Sequence, residues 1–343
     1  MTETRPTGED LREEGVGGVG PTTGMQGTAG GVVVHEEPPL TVDDELALSY
    51  ESGVELKARS QWAYARMRFF RHKLAVVSLV VFLLIALVGV FAPQVAPYGY
   101  DELDLENILA SPTFADWHLF GTDQLGRDYL SRVIFGIRTS LWVAVMVAVL
   151  SAAIGTTIGA VAGYYGGQVD NLLMRFTDLI LTLPGLAVLL TASVFFGSGD
   201  PLKVGLILAF LFWTSLARIV RGLFLSLREK EFVEAARAAG ASDRRIIFRH
   251  MLPNCVGPII VNMTLVVAIA ILVEAALSFL GFGIQPPNAA LGKLIDDGQD
   301  QGLQTWWLVT FPGLVIVVIA LCINFIGDGL RDALDPTQRR TRA

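Results

Sequence analysis

Cysteine, histidine and charge are all scarce in this chain, and each shortage removes a class of function. The two cysteines, Cys255 and Cys322, fall at the border of one apolar run and inside another, which leaves no disulfide framework and reads as packing. The four histidines, His35, His72, His118 and His250, are scattered, and no cluster of His, Cys and carboxylates keeps metal-ligand spacing. Charged residues make up only 17% of the chain, the formal net charge is −7, and there is no basic stripe of the kind nucleic acid requires. The GxxxxGK[ST] loop that cradles phosphate is missing, and Ser131 and Ser278 sit in no nucleophile elbow. No metal, cofactor, nucleic-acid site or catalysis is therefore expected of this polypeptide, and any ATP would be hydrolysed elsewhere.

What the chain has in excess is apolar sequence, at 52% hydrophobic residues and a mean hydropathy of +0.52, gathered into blocks. Residues 74–92 form an almost unbroken run, long enough to cross a hydrocarbon core of about 30 Å at about 1.5 Å per residue. The hydropathy and its breaks predict spans at 74–92, 139–162, 177–197, 204–222, 258–282 and 307–327, which makes an all-α membrane protein with six transmembrane helices. Arg66, Arg68, Arg71, His72 and Lys73 precede the first run as the n-region of a secretory signal would. That run lies deep in the chain, exceeds an h-region of about 7–15 residues, and exits through Phe91-Ala92-Pro93 without a small-x-small cleavage site. It reads as an anchor.

Residues 1–58, rich in Gly, Thr, Glu and Pro, hold too few large apolar side chains to bury a core. They read as a disordered tail, or as a regulatory segment that folds on a partner. Lys and Arg then set the orientation. Positive groups flank the first span, follow the fourth (Arg228 to Arg249) and close the chain (Arg331 to Arg342), so both termini are expected in the cytoplasm. Arg127, Arg132 and Arg138 fall on the other side, among acidic residues that can neutralise them; a helix already begun at Ile134 would shift that boundary only. The expected partition is a tail over 1–58, a first span with an extracytoplasmic loop over 59–137, a core over 138–331 and a tail over 332–343. Ser151, Gly155, Gly159 and Gly163 line one face of the second span, a close-approach surface for a span of this chain or of another.

The loop between the fourth and fifth spans reads as two short helices and a turn. Ala235, Ala236, Ala238 and Ala239 favour a helix from about Glu231 with little side-chain bulk. Gly240 closes it, Ser242 caps the next helix, and Ile246, Ile247, Phe248 and Met251 alternate with arginines as on a membrane interface before Pro253 stops the segment. On propensity alone this is an Ala-rich hairpin. The spacing Glu234-Ala235-Ala236, three residues, Gly240, then Leu252-Pro253 is similar to the coupling motif of permeases from binding-protein-dependent ABC importers, with His250 where Ile is usual. Glu274-Ala275-Ala276 repeats the first three letters, but without the spacing.

The resemblance extends over nearly the whole chain after the tail. Gly121-Thr122-Asp123, Gly126-Arg127-Asp128, Ser131-Arg132, Ser278-Phe279-Leu280-Gly281, Gln285-Pro286-Pro287 and the run from Gly327 to Pro336 resemble the C-type subunit of the dipeptide/oligopeptide permease family. Asn288-Ala289-Ala290-Leu291-Gly292 departs from it. The resemblance implies a type I ABC importer permease fold in a bacterial plasma membrane and a homologous second permease. It also implies two ATP-binding subunits or domains that hold ATP and Mg, and an extracytoplasmic solute-binding protein. Glu234, Ala235, Ala236, Gly240, Leu252 and Pro253 would contact the ATPase. The cargo would be a dipeptide or oligopeptide, or else a nickel chelate, glutathione or haem. Tyr165-Gly166-Gly167-Gln168 is similar to the tail of an ABC ATPase signature but reads as a turn.

Ionisable groups inside a bilayer cost about 2.5–3.5 kcal/mol near a helix centre and ask for a reason. Asp178 is either a pathway residue or an interfacial one. Glu274 is expected to face the bundle and bond a partner, in a structural or gating role or in contact with substrate, and Asn262 and Asn324 are polar packing candidates. A rival reading makes Asp178 and Glu274 the coupling residues of an ion-driven secondary transporter, and a third a membrane scaffold; neither explains the spaced loop.

Overall fold

The computed structural model describes residues 61–114, 117–197 and 199–334. The chain divides between Ala58 and Arg59 into two units, and every described residue belongs to the second. The expected tail over 1–58, and all of the closing tail beyond Leu334, lie outside the described residues. Helices follow one another as α1 (Gln61–Arg71), α2 (Lys73–Val90), α3 (Ala92–Val95), α4 (Tyr129–Tyr165), α5 (Gly167–Thr182), α6 (Gly185–Phe196), α7 (Pro201–Arg228), α8 (Glu231–Ala238) and α9 (Asp243–Arg245). A π-helical turn (Ile246–Met251), α10 (Leu252–Phe279), α11 (Leu291–Gln299), a 3-10 turn (Leu303–Thr305) and α12 (Trp307–Leu334) complete the order.

Five of these stretches are long and apolar enough to cross a membrane: Lys73–Val90, Tyr129–Tyr165, Pro201–Arg228, Asp243–Phe279 and Trp307–Leu334. The remaining expected span, 177–197, falls on a pair of helices, α5 and α6, bent by 85°, which makes a sixth crossing if the two form one broken span. Pro184 is the cause of the bend. Its ring pushes the preceding residue out of the helical region, and Leu183 sits at φ −72°, ψ 135°. The second span is also longer than hydropathy suggests, because Asp128 caps α4 at its start, its carboxylate accepting from the Ser131 N–H at 2.7 Å. Between Tyr129 and Ile137 all residues but Leu130 and Phe135 are buried beside other protein segments, where hydropathy does not report on helicity.

The small-residue face of α4 meets α7 of this same chain. A Cβ on Gly155 would stand 2.6 Å from the Trp213 carbonyl oxygen and one on Gly163 2.6 Å from the Phe224 Cβ, while Gly159 faces the Ala217 carbonyl closer still. Only glycine permits that approach. The remaining spans close around this pair, burying Val147, Leu208, Ile271, Leu291 and Trp307 in one core. The closing motif is a packing seam: Gly329 of α12 meets Ala75 of α2, and Gly327 meets Thr264 of α10. Cys255 and Cys322 are buried and free.

Candidate functional site

The loop after α7 is a structured unit. In α8 the side chain of Val233 is fully buried, whereas Glu231, Glu234, Ala235 and Ala238 are exposed on one face, so the helix presents outward two alanines flanked by two carboxylates. Gly240 closes the helix at φ +75°, with the Ala241 N–H donating to the Ala236 carbonyl and the Gly240 N–H to that of Arg237, both at 3.0 Å. The underside is a second core in which Val233, Ile246, Met251 and Cys255 pack with Phe224 of α7 and Tyr164 of α4. The Tyr164 hydroxyl donates to the Asp243 carboxylate at 2.6 Å. Thus α8 is joined to the ends of three spans.

Two local expectations are corrected here. Ser242 occupies the N-cap position but its side chain accepts no capping hydrogen bond; its carbonyl receives the Ile246 N–H at 3.0 Å. Pro253 does not stop the segment, since Asp243–Phe279 runs as one continuous helical stretch with Pro253 in the first turn of α10. Proline has no N–H and its ring crowds the carbonyl four residues back, and the wider π turn over Ile246–Met251 makes room for it. Within the π turn Ile246 and Met251 are buried and Ile247 is half-buried, so these face the protein rather than a membrane surface, whereas Phe248 is 64% exposed.

The residues singled out in the loop separate into two groups. Glu234, Ala235 and Gly240 are exposed on α8 and its turn and Ala236 is half-buried, while Leu252 and Pro253 lie at the junction of π turn and span. The membrane-embedded candidates do not share a site. Asp178 accepts from the Arg218 guanidinium of α7 at 2.6 Å, with both side chains 53% exposed. Glu274 is fully buried, accepting from the Ser140 hydroxyl at 2.8 Å and the Ser278 hydroxyl at 2.7 Å. Asn262 alone lines a chamber of about 490 Å³, enclosed by Leu183 and Leu186 at the helix break, Leu211 and Ser215 of α7 and Ile269 of α10. Its Oδ1 is buried with no hydrogen-bond partner among the described residues.

Sequence reasoning missed the second pairing across the same helices. Asp170 of α5 accepts from Arg221 of α7 through both Nε and Nη2, the latter at 2.6 Å. Two arginines, Arg218 and Arg221, inside a segment expected to span were the available signal, for each needs an anion. At the far end of the molecule Asp123 pairs with both Arg127 and Arg132, the acid pairing expected of two of the three dissenting cations. His118 there stands 3.0 Å from Asp128 and 3.5 Å from Asp104. The departing residues Ala289, Ala290, Leu291 and Gly292 are buried, with Gly292 against the Ala275 carbonyl of α10.

A bundle of spans around a mostly apolar chamber with a few polar groups, with a packed helical loop fixed to its base, has the build of a membrane permease. The family described as the inner membrane component of binding-protein-dependent transport systems matches residues 155–340, and the N-terminal transmembrane domain of oligopeptide transport permease C matches residues 60–112. The chain belongs to this family of binding-protein-dependent ABC transport permeases, as a non-catalytic membrane subunit. It is 43% identical to the oligopeptide transport system permease protein OppC of Escherichia coli K12 over 297 residues, 87% of this chain and 98% of that protein. The protein of the same name from Mycobacterium tuberculosis H37Rv is 43% identical over 276 residues, 80% of this chain and 94% of that one. A solved structure of inward-facing conformations of the MetNI methionine ABC transporter is similar with a TM-score of 0.44 at 16% identity, over 60% of this chain and 97% of that chain.

Proposed function

We propose that this chain is one of two homologous permeases that together carry oligopeptides inward, driven by ATP hydrolysed on separate subunits that dock on Glu231–Pro253. The observation that carries the reading is the exposed face of α8 standing on a core shared with α4, α7 and α10. A force applied at Glu234, Ala235 and Gly240 would move those spans directly, without passing through a flexible connector. ATP acts by binding the closed ATPase state better, which shifts the permease between its orientations. In this scheme both termini and α8 face the cytoplasm, and a solute-binding protein delivers cargo at the opposite end. Asn262 contributes a polar group to the pathway, the Asp178–Arg218 pair opens and closes at its edge, and Glu274 holds α4 to α10. The peptide assignment rests on likeness to the OppC proteins.

Reconstitution of the whole complex in proteoliposomes tests this. Glu234→Lys and Gly240→Asp are expected to reduce peptide uptake and binding-protein-stimulated ATP hydrolysis together while the subunit still inserts; normal coupling in either variant overturns the docking assignment. The ligand carried by the cognate binding protein, identified by mass spectrometry after gentle purification, is expected to be peptide. A nickel chelate, glutathione or haem would reassign the cargo and leave the coupling untouched.

A further inference from the structure

At the end of the molecule opposite α8, an open cavity of about 480 Å³ is walled by Tyr100, by Phe135, Arg138 and Trp142 of α4, by Leu202 of α7 and by Asn288. The cations elsewhere at this end are occupied. Arg127 and Arg132 pair with Asp123, Lys293 with Asp296 and Asp297, and Lys203 donates to the Phe196 carbonyl at 3.0 Å. Arg138 is exposed and has no hydrogen-bond or ion-pair partner among the described residues. The carboxylate in the cavity wall, Asp200, is committed to capping α7, where it accepts the Leu202 N–H at 2.9 Å. Arg138 therefore offers this cavity an uncommitted cation.

The shape of the surface below indicates which anion it suits. From Arg138 the exposed face of α4 continues through Trp142, Val145 and Val149, each about half exposed, to the exposed Ala153. Trp142 to Ala153 covers about 16 Å of helix, close to the roughly 15 Å depth of one leaflet's hydrocarbon. Trp142 stands at the top of that stripe, where aromatic rings settle at a membrane boundary. Beside it the Tyr100 phenol, pushed up by burial against the opposing charge of Arg127, stays a hydrogen-bond donor at neutral pH. We infer that this cavity seats the headgroup of an anionic phospholipid, with its phosphate on Arg138 and an acyl chain along the stripe from Trp142 to Ala153. A membrane-embedded contact with the second permease would place a protein acceptor on Arg138 instead, an outcome that the test below distinguishes. The site holds for either orientation of the chain in the membrane and does not rest on the cargo or on α8.

Native mass spectrometry of the full chain in its purified complex tests the site, with phosphatidylglycerol and phosphatidylcholine titrated in detergent. The wild-type complex is expected to retain one phosphatidylglycerol in preference to phosphatidylcholine. Arg138→Gln should lower that retention about fivefold, the worth of a single cation against an anionic lipid, and Arg138→Lys should restore most of it. Absence of any lipid preference in the wild type, or unchanged retention in Arg138→Gln, overturns the site. Displacement of the lipid by millimolar inorganic phosphate would reduce it to a free-anion site and overturn the headgroup assignment. If Arg138→Gln sheds the second permease while lipid retention is unchanged, the surface is a protein contact and the inference fails.

Discussion

A Cβ added at Gly240 would meet nothing within 4 Å in this chain, so within the chain itself the demand for glycine is a matter of its φ of +75°. Gly240→Val is expected to cost about 1–2 kcal/mol in closing α8, and Gly240→Asn clearly less, because asparagine tolerates the left-handed region. Binding-protein-stimulated ATP hydrolysis should fall further in Gly240→Val than in Gly240→Asn, and equal loss in both variants would show that contact with the ATPase, rather than backbone conformation, dominates at this position. Glu274 invites a sharper comparison. Its two serine hydroxyls can rotate to suit an amide, so Glu274→Gln should keep uptake near wild type, while Glu274→Ala strands two buried hydroxyls at about 1–3 kcal/mol each. Abolished uptake in Glu274→Gln would mean that the ionised carboxylate itself is used. Beyond the spans, the Asn107 amide donates to Asp104 at 2.7 Å and holds that carboxyl below the usual carboxylate range, with burial opposing it and the Glu106 N–H and His118 assisting. A depressed carboxylate stabilises above its unfolded pKa of about 3.9 and loses that contribution as the pH falls through its folded value. The difference in hydrogen-exchange protection of this segment between wild type and Asn107→Ala should be full near neutral pH and shrink in acid.

Helix against helix, the seam between α4 and α7 is the least forgiving contact. Gly159→Val would drive a side chain into the Ala217 carbonyl, and overpacking of that kind costs about 1–3 kcal/mol or forces the helices apart. The variant should show a lowered melting midpoint in detergent. Asp170→Arg should weaken the hold of α5 on α7, and the exchange Asp170→Arg with Arg221→Asp should recover part of the loss. The four-residue spacing from Ser151 to Gly163 revealed this seam in advance, though not which helix fills it, because spacing describes one surface and not its partner. The bend at Leu183-Pro184 escaped because both arms are apolar, and a hydropathy window sums over direction. The π turn before Pro253 escaped for a related reason: proline reads as a terminator when the neighbours able to widen the turn are out of view. The pairs Asp170–Arg221 and Asp178–Arg218 join residues 51 and 40 positions apart, a distance at which local pattern carries no information.

For the molecule as a whole, the spaced loop motif and the glycine-bearing signatures were enough to place the chain in its family, and two of their glycines mark points where backbones meet: Gly121 on the Ala110 carbonyl and Gly126 on that of Asp104. The chamber was less visible, since Asn262 alone of the three membrane candidates lines it. Its unpartnered Oδ1 leads us to expect that Asn262→Leu leaves assembly intact and changes the preference among peptides in competition uptake. The bent pair has a further bearing on how this protein is made. α5 has 16 residues and α6 has 12, about 24 Å and 18 Å of helix, so neither arm alone reaches across a bilayer. The first arm carries Asp170 and Asp178, and the anionic groups find their counter-charges only on α7, which the ribosome delivers later. A nascent chain that let α5 and α6 slip sideways into lipid on their own would strand two carboxylates there. Insertion of α5 and α6 together with α7, as a single hairpin, would neutralise both carboxylates before they meet lipid.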